Sequence, residues 1–282
     1  MSKHYSWQIL NSFYLKIIAF VLMTFDHIGV FMEMNGFAVE VTSIFRIIGR
    51  LAFPLFIFLM VEGVRHTKNY GKYAIRLGIV ALIVLVAEII IYYCFDSAMT
   101  AYSPLLDLLA CSCIIYLIKR KDKWTALIAL PLAYIGLSFA TDVIENVNHI
   151  TILWFPFYLR SGYSLYGLLL SLGFYFATPL ARLFLNSSDN TKAFTDTAVE
   201  RNVINILSAF FVFISCLAVY LLSYVEGCDL YFGNIIMWGI LSGAFIMLYN
   251  GMRGYNKKWF QYGCYLYFPL HIVILYVIFM FI

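Results

Sequence analysis

Charge is what this sequence has least of. Asp, Glu, Lys and Arg make up 12% of its 282 residues, whereas a soluble domain carries about 25%. So few charges cannot coat a folded surface in water, which excludes a soluble enzyme. Disorder is excluded too, because it needs low hydrophobicity and many charges, and 63% of this chain is hydrophobic. Long polar stretches are missing: the longest, Asn186–Glu200, is too short for a soluble domain. There is no CxxC pair, no Cys/His metal spacing, no P-loop and no Gly-x-Ser-x-Gly, so no metal site is expected. The cysteines Cys94, Cys111, Cys113, Cys216, Cys228 and Cys264 sit mostly inside apolar runs, where Cys behaves as a small hydrophobe. Cys94 and Cys228 fall near one surface, and a disulfide between them is one option. The first apolar run lacks a small-residue cleavage site, so no signal peptide is expected.

What the chain does have is apolar length. Nine runs stand out, at about 14–33, 42–63, 77–95, 102–118, 125–140, 162–185, 203–224, 232–250 and 259–281. A spanning helix needs about 20 residues. The expected fold is an all-α polytopic membrane protein with about nine transmembrane helices, forming one integral-membrane domain over 1–282. No internal repeat is visible. The segment Ile150–Leu159 is too short to span and reads as re-entrant or interfacial. Tyr92, Tyr93 and Trp259 read as interfacial aromatics.

Lys and Arg orient the spans. Alternate breaks hold Arg65, Lys68, Lys72 and Arg76; Lys119, Arg120, Lys121 and Lys123; Arg182, Lys192 and Arg201; Arg253, Lys257 and Lys258. The other breaks hold Glu40, Asp96, Asp142, Glu145, Glu226 and Asp229, with Arg160 as the one base near them. This alternation places the N-terminus inside and the C-terminus outside. The net charge of +4 then reflects positive-inside loops and not a nucleic-acid footprint.

Each charge at membrane depth is expensive and calls for a reason. The candidates are Lys16, Asp26, His27, Arg46, Arg50, Glu62, Glu88, Asp107 and His271. A rise of about 1.5 Å per residue converts position into depth. Lys16 falls near the inner end of its span, where it can snorkel, and Glu62 near the inner end of the second. Asp26, His27, Arg46, Arg50, Glu88, Asp107 and His271 share one depth in the outer half. Facing one another, they would make a polar chamber open to the outer side. Structural alternatives stand beside this reading. Arg46 and Arg50 can serve as counter-charges for the acids. His271 can fill the kink at Pro269. Glu62 can pair with Arg65 or Arg76. Asp26 either orients His27 or serves an Arg, because adjacent helical residues do not face each other.

A His with carboxylate and guanidinium neighbours suits general-base catalysis with Arg at a developing oxyanion. It also suits a proton-coupled transporter or exporter, although the sequence shows neither an inverted repeat nor paired broken helices.

Two stretches carry a family pattern. The first runs through Leu15-Lys16-Ile17-Ile18-Ala19, Met23-Thr24-Phe25-Asp26-His27-Ile28-Gly29, Gly49-Arg50-Leu51-Ala52-Phe53-Pro54-Leu55-Phe56, Glu62-Gly63, His66-Thr67-Lys68-Asn69, Lys72-Tyr73 and Arg76-Leu77. The second is Tyr249-Asn250-Gly251, Arg253-Gly254 and Phe268-Pro269-Leu270-His271. Together they resemble the TraX family of membrane acetyltransferases, named for a protein that acetylates the N-terminus of F pilin. The match covers 15–77 and 249–275; the middle of the chain matches only as apolar spans. The family is similar to wider transmembrane acyltransferase families, in which a basic residue precedes a first-helix His with ten residues between, as Lys16 precedes His27. Their Arg-x-x-Arg is Arg46-x-x-x-Arg50 here, so the sequence departs from that pattern at Arg46.

The resemblance implies transfer of an acetyl group from cytosolic acetyl-CoA to an amine or hydroxyl of an acceptor at the outer half of a bacterial cytoplasmic membrane. The acceptor would be a peptide N-terminus or a glycan. It implies catalytic roles for His27, Asp26, Arg50, Arg46 and His271, with the base either His27 or His271. The donor's phosphates would meet Lys16, Arg65, His66, Lys68, Lys72, Arg76, Arg253 and Lys257 on the inner side, where those charges also serve topology.

Overall fold

A computed structural model describes residues 4–95, 104–187, 197–230 and 233–281. Asp96 and Lys192 lie outside the described residues, as do the side chains of Tyr92 and Cys94. Helices α1 (Ser12–Met34), α2 (Val39–Gly49), α3 (Ala52–His66), α4 (Tyr70–Phe95) and α5 (Pro104–Arg120) open the chain. A 3₁₀ turn at Lys123–Ile128 leads into α6 (Ala129–Asn148). After an irregular stretch come α7 (Ser164–Ser187) and α8 (Thr197–Leu222). Short α9 (Gly233–Ile236), a 3₁₀ turn at Met237–Leu241 and α10 (Ser242–Met247) form one interrupted segment before α11 (Lys258–Phe279). No strand occurs among the described residues; an isolated bridge joins Leu10 and Tyr249.

The protein is thus an all-helical polytopic membrane protein. Among the described residues, seven helical segments are long and apolar enough to cross a bilayer. The other two apolar segments, α5 and Gly233–Met247, are shorter, at 17 residues and with a 3₁₀ interruption respectively. Outward faces are apolar: Ile75, Ile79, Leu82, Val86 and Ile90 lie exposed along α4, and Leu266, Leu270, Val273 and Val277 along α11. Only lipid can cover such surfaces cheaply.

Proline sets where the helices break. Pro54 has no N–H to give the carbonyl of Arg50, four residues back, and its ring crowds that carbonyl. The run expected over 42–63 is accordingly two helices, with Arg50 buried at the joint. Pro131 likewise cannot bond Leu127, and the turn before α6 is 3₁₀. Together with the interrupted 233–247 segment, the break at Arg50 gives the fold two discontinuous apolar segments.

α3 is the hub. Nearly every side chain from Ala52 to Val61 is buried, and α3 packs on α1, α5, α7 and α10. α1 crosses α2 closely because the helices meet at glycines, which let backbones approach. A Cβ at Gly49 would lie 2.2 Å from the Asp26 Cβ, and one at Gly29 would lie 3.0 Å from the Arg46 stem. α11 packs on α1 and α4. At the other end of the chain, Leu10 N–H donates to Leu248 (2.9 Å) and Asn250 N–H to Leu10 (2.8 Å). The two stretches that carry the family pattern therefore lie against each other. Cys228 is buried and free.

The irregular stretch 149–163 is held by Arg160, which is 1% exposed. Its guanidinium reaches Asp142 at 2.8 Å, Glu145 at 2.5 Å and the Phe155 carbonyl at 2.7 Å. The one base near the acidic breaks is therefore an internal staple. Leu153 and Trp154 stay exposed at the tip of the stretch.

Candidate functional site

Two polar sites sit at opposite ends of α3. At its N-terminal end, α1, α2 and α11 bring together Asp26, His27, Arg46, Arg50 and His271. Asp26 and Arg46 pair at 3.0 Å, and Arg50 lies 3.4 Å from the other Asp26 oxygen. Asp26 therefore serves both arginines and not His27, the outcome that helical geometry favours for adjacent residues. Arg50 also donates to the Tyr163 hydroxyl at 3.2 Å. Its Nε is buried without an acceptor, a donor left for something else.

His27 Nδ1 donates to the Met23 carbonyl at 2.9 Å. His271 Nδ1 donates to the Tyr267 carbonyl at 2.8 Å, which turns its Nε2 toward His27 Nδ1 at 3.4 Å. The rings meet edge-on with centroids 4.8 Å apart. A carbonyl can only accept, so each Nδ1 carries the proton and each Nε2 is an acceptor. His271 spends its Nε2 on His27. The Nε2 of His27 has no protein partner among the described residues and is free to take a proton. His271 is 4% exposed; His27 is half-buried. Tyr267 stacks on His271, centroids 5.2 Å apart. Its hydroxyl meets Thr24 on α1 at 2.5 Å, which fixes α11 against α1.

Asp107 belongs to this site at one remove. Fully buried in the first turn of α5, it accepts from the Ser161 hydroxyl and from the Tyr163 N–H at 3.1 and 3.2 Å. It thereby holds the residue that holds Arg50. Phe53 stacks on Tyr163 at 3.9 Å. Glu88 on α4 forms no ion pair among the described residues, and its Oε2 is buried without a partner. The shared depth thus yields a tight cluster of five groups, with Asp107 behind it and Glu88 apart. Sequence reasoning missed Tyr163, Ser161, Thr24 and Tyr267. The signal for the first two was the short 150–159 segment, which had to fold back somewhere.

At the C-terminal end of α3 lies a cavity of about 780 Å³, lined by residues that include Glu62, Arg65, His66, Lys119, Lys121, Thr178, Arg182 and Arg201. The basic breaks after α3, α5 and α7 thus converge with the start of α8. Glu62 pairs with Arg65 at 3.0 Å and with Arg201 at 3.4 Å; Arg76, the other expected partner, is not among its ion pairs. Of the eight residues expected to meet donor phosphates, Arg65 and His66 line this cavity. Lys16, Lys68, Lys72, Arg76, Arg253 and Lys257 do not line it.

A family model described as TraX protein matches residues 12–279. The chain is also similar to a probable fimbrial assembly protein, FimC of serogroup H1, from Dichelobacter nodosus. The two are 37% identical over 75 residues, which is 25% of this chain and 30% of that protein. The chain thus spans less than a third of that relative's length. No solved structure matches it. The family match runs from the first turn of α1 to the end of α11, across both polar sites, and on that extent the chain belongs to the TraX family.

Proposed function

We propose that the protein is a membrane acetyltransferase that uses acetyl-CoA as donor and acts in fimbrial assembly. The single observation that carries this reading is the His27–His271 pair beside the Asp26–Arg46–Arg50 cluster. The acceptor's amine or hydroxyl attacks the thioester carbonyl while His27 Nε2 takes its proton. A nitrogen–carbon or oxygen–carbon bond forms, and the carbonyl electron pair moves onto oxygen. Arg50, with its unused Nε, stabilises that oxyanion. Collapse breaks the carbon–sulfur bond, and His27 returns the proton to the departing thiolate. His271 Nε2, which shares the His27 Nδ1–H with the Met23 carbonyl, steadies the imidazolium in between. Asp26 and Arg46 hold Arg50 in place.

In this reading the basic end of α3 faces the cytosol of a bacterial cell, the positive-inside arrangement, and the acceptor arrives from the opposite side. A pilin-type N-terminal amine is the acceptor that fits both the family and the fimbrial relative; a glycan hydroxyl would need the same chemistry. The test is incubation of purified protein in nanodiscs with isotope-labelled acetyl-CoA and a peptide bearing a free N-terminal amine. Label on the peptide with equal thiol release supports the proposal. Absence of both thiol release and label sinks it.

A second reading draws on the helix break at Arg50 and the interrupted segment Gly233–Met247, which touches α2 and α3. Discontinuous helices around ionisable groups are a transporter device. Proton uptake driven by a solute in proteoliposomes, without thiol release, would favour that reading.

A further inference from the structure

The cavity at the C-terminal end of α3 has more positive charge than its own acids neutralise. Arg65, Lys119, Lys121, Arg182 and Arg201 line it against Glu62 and Glu200, an excess of three cations before His66 is counted. The arginines are held in place. Arg65 donates to Glu62 and, at 2.6 Å each, to the carbonyls of Phe174 and Tyr175. The Tyr175 carbonyl is available because Pro179 has no N–H to give it. Arg201 is fixed by Glu62 and lies over the Tyr249 ring at 5.3 Å. A Cβ at Gly251 would come within 2.9 Å of Arg201 Nε, so glycine keeps that space open. Lys121 and His66 are exposed at the cavity's edge. Thr178 Oγ1 is buried without a hydrogen-bond partner.

We propose that this cavity binds a soluble organic polyphosphate, specifically the phosphorylated nucleotide end of the acyl donor. Preset guanidinium forks and a surplus of charge match the geometry and charge of phosphoryl groups. Its choice of nucleotide rests on the transferase reading; its location does not. Glu62 stands ten residues after Ala52, where the hub helix begins just past Arg50, about 15 Å at the helical rise. A donor gripped by its phosphates here must reach the His27 end through a long, thin arm.

The test uses the purified full-length protein in anionic-lipid-free detergent, with coenzyme A, adenosine 3′,5′-bisphosphate and adenosine as probes in titration calorimetry. Coenzyme A and the bisphosphate should bind, more weakly as salt rises, and adenosine should not. The double variant K121E/R182E should lose about tenfold in affinity at unchanged thermal midpoint, whereas K68E/K72E, outside the cavity, should lose none. Equal affinity in K121E/R182E, or adenosine binding as well as the bisphosphate, overturns the site. So does retention of phosphatidylglycerol through Lys121 and Arg182 with no nucleotide binding, which would assign the cavity to a lipid headgroup. Binding here without acetyl transfer leaves the site standing and defeats only the transferase; transfer unaffected by K121E/R182E does the reverse.

Discussion

His271 points its Nε2 at the Nδ1 of His27 across 3.4 Å, joining the last helix to the first. Both Nδ1 atoms are committed to backbone carbonyls four residues back. The pair is therefore directional: His271 spends its Nε2 on the contact, and His27 keeps its own Nε2 unpartnered among the described residues.

Asp26 is the shared counter-charge of Arg46 and Arg50. Asp26→Asn strands two guanidinium groups in a largely buried place and should cost about 3 kcal/mol, the lower end for breaking a buried pair. Thermal unfolding in detergent checks this. The double variant D26N/R46Q should recover part of the loss, because one stranded charge is then gone. No recovery would mean that Arg46 and Asp26 are not coupled.

Gly49 permits the α1–α2 crossing. Gly49→Ala puts a methyl group into Asp26 and should lower the thermal midpoint and weaken the Asp26 pairings together. Gly136→Ala on α6, where nothing lies within 4 Å, is the control and should be neutral or slightly stabilising through helix propensity. Equal behaviour of the two variants would contradict the close crossing.

Arg160 staples the 149–163 stretch onto the end of α6. Arg160→Met leaves Asp142 and Glu145 facing each other without their cation, with a stability loss of about 3 kcal/mol or more. Limited proteolysis should then cut between residues 149 and 160 faster than in the parent protein, and equal cutting of the two would contradict the staple.

Tyr163 connects Asp107 to Arg50. Tyr163→Phe removes the hydroxyl that accepts from Arg50 but keeps the ring stacked on Phe53. The acetyl-transfer rate should fall about tenfold, the worth of one charge-assisted hydrogen bond, at an unchanged melting point. An equal fall in rate and stability would make Tyr163 a packing residue only.

Much of the architecture was legible in the sequence, for a physical reason: lipid tolerates no irregular backbone, so apolar runs report helices. The expected run at 162–185 is α7 at Ser164–Ser187, and the run at 259–281 is α11 at Lys258–Phe279. The common depth of Asp26, His27, Arg46, Arg50 and His271 followed from helical rise alone. Partner choice did not. Whether Asp26 meets His27 or an arginine depends on how α1 is rotated against α2, and the Gly29 and Gly49 contacts decide that. Loop cations were equally ambiguous. Lys68 and Lys119 look alike in sequence, yet only Lys119 is on the cavity wall, where its amine donates to the Val64 and Arg65 carbonyls. The break at Arg50 was readable from Pro54, four residues on.

In the proposed chemistry His27 is the base and His271 its support. The direct measurement is thiol release from acetyl-CoA, with a free-amine peptide present, by the parent protein, His27→Ala and His271→Ala, each first shown to be folded and inserted. The expected loss is about 10²- to 10⁴-fold for His27→Ala and smaller, about tenfold, for His271→Ala. Activity retained in His27→Ala, or a greater loss in His271→Ala than in His27→Ala, would contradict it.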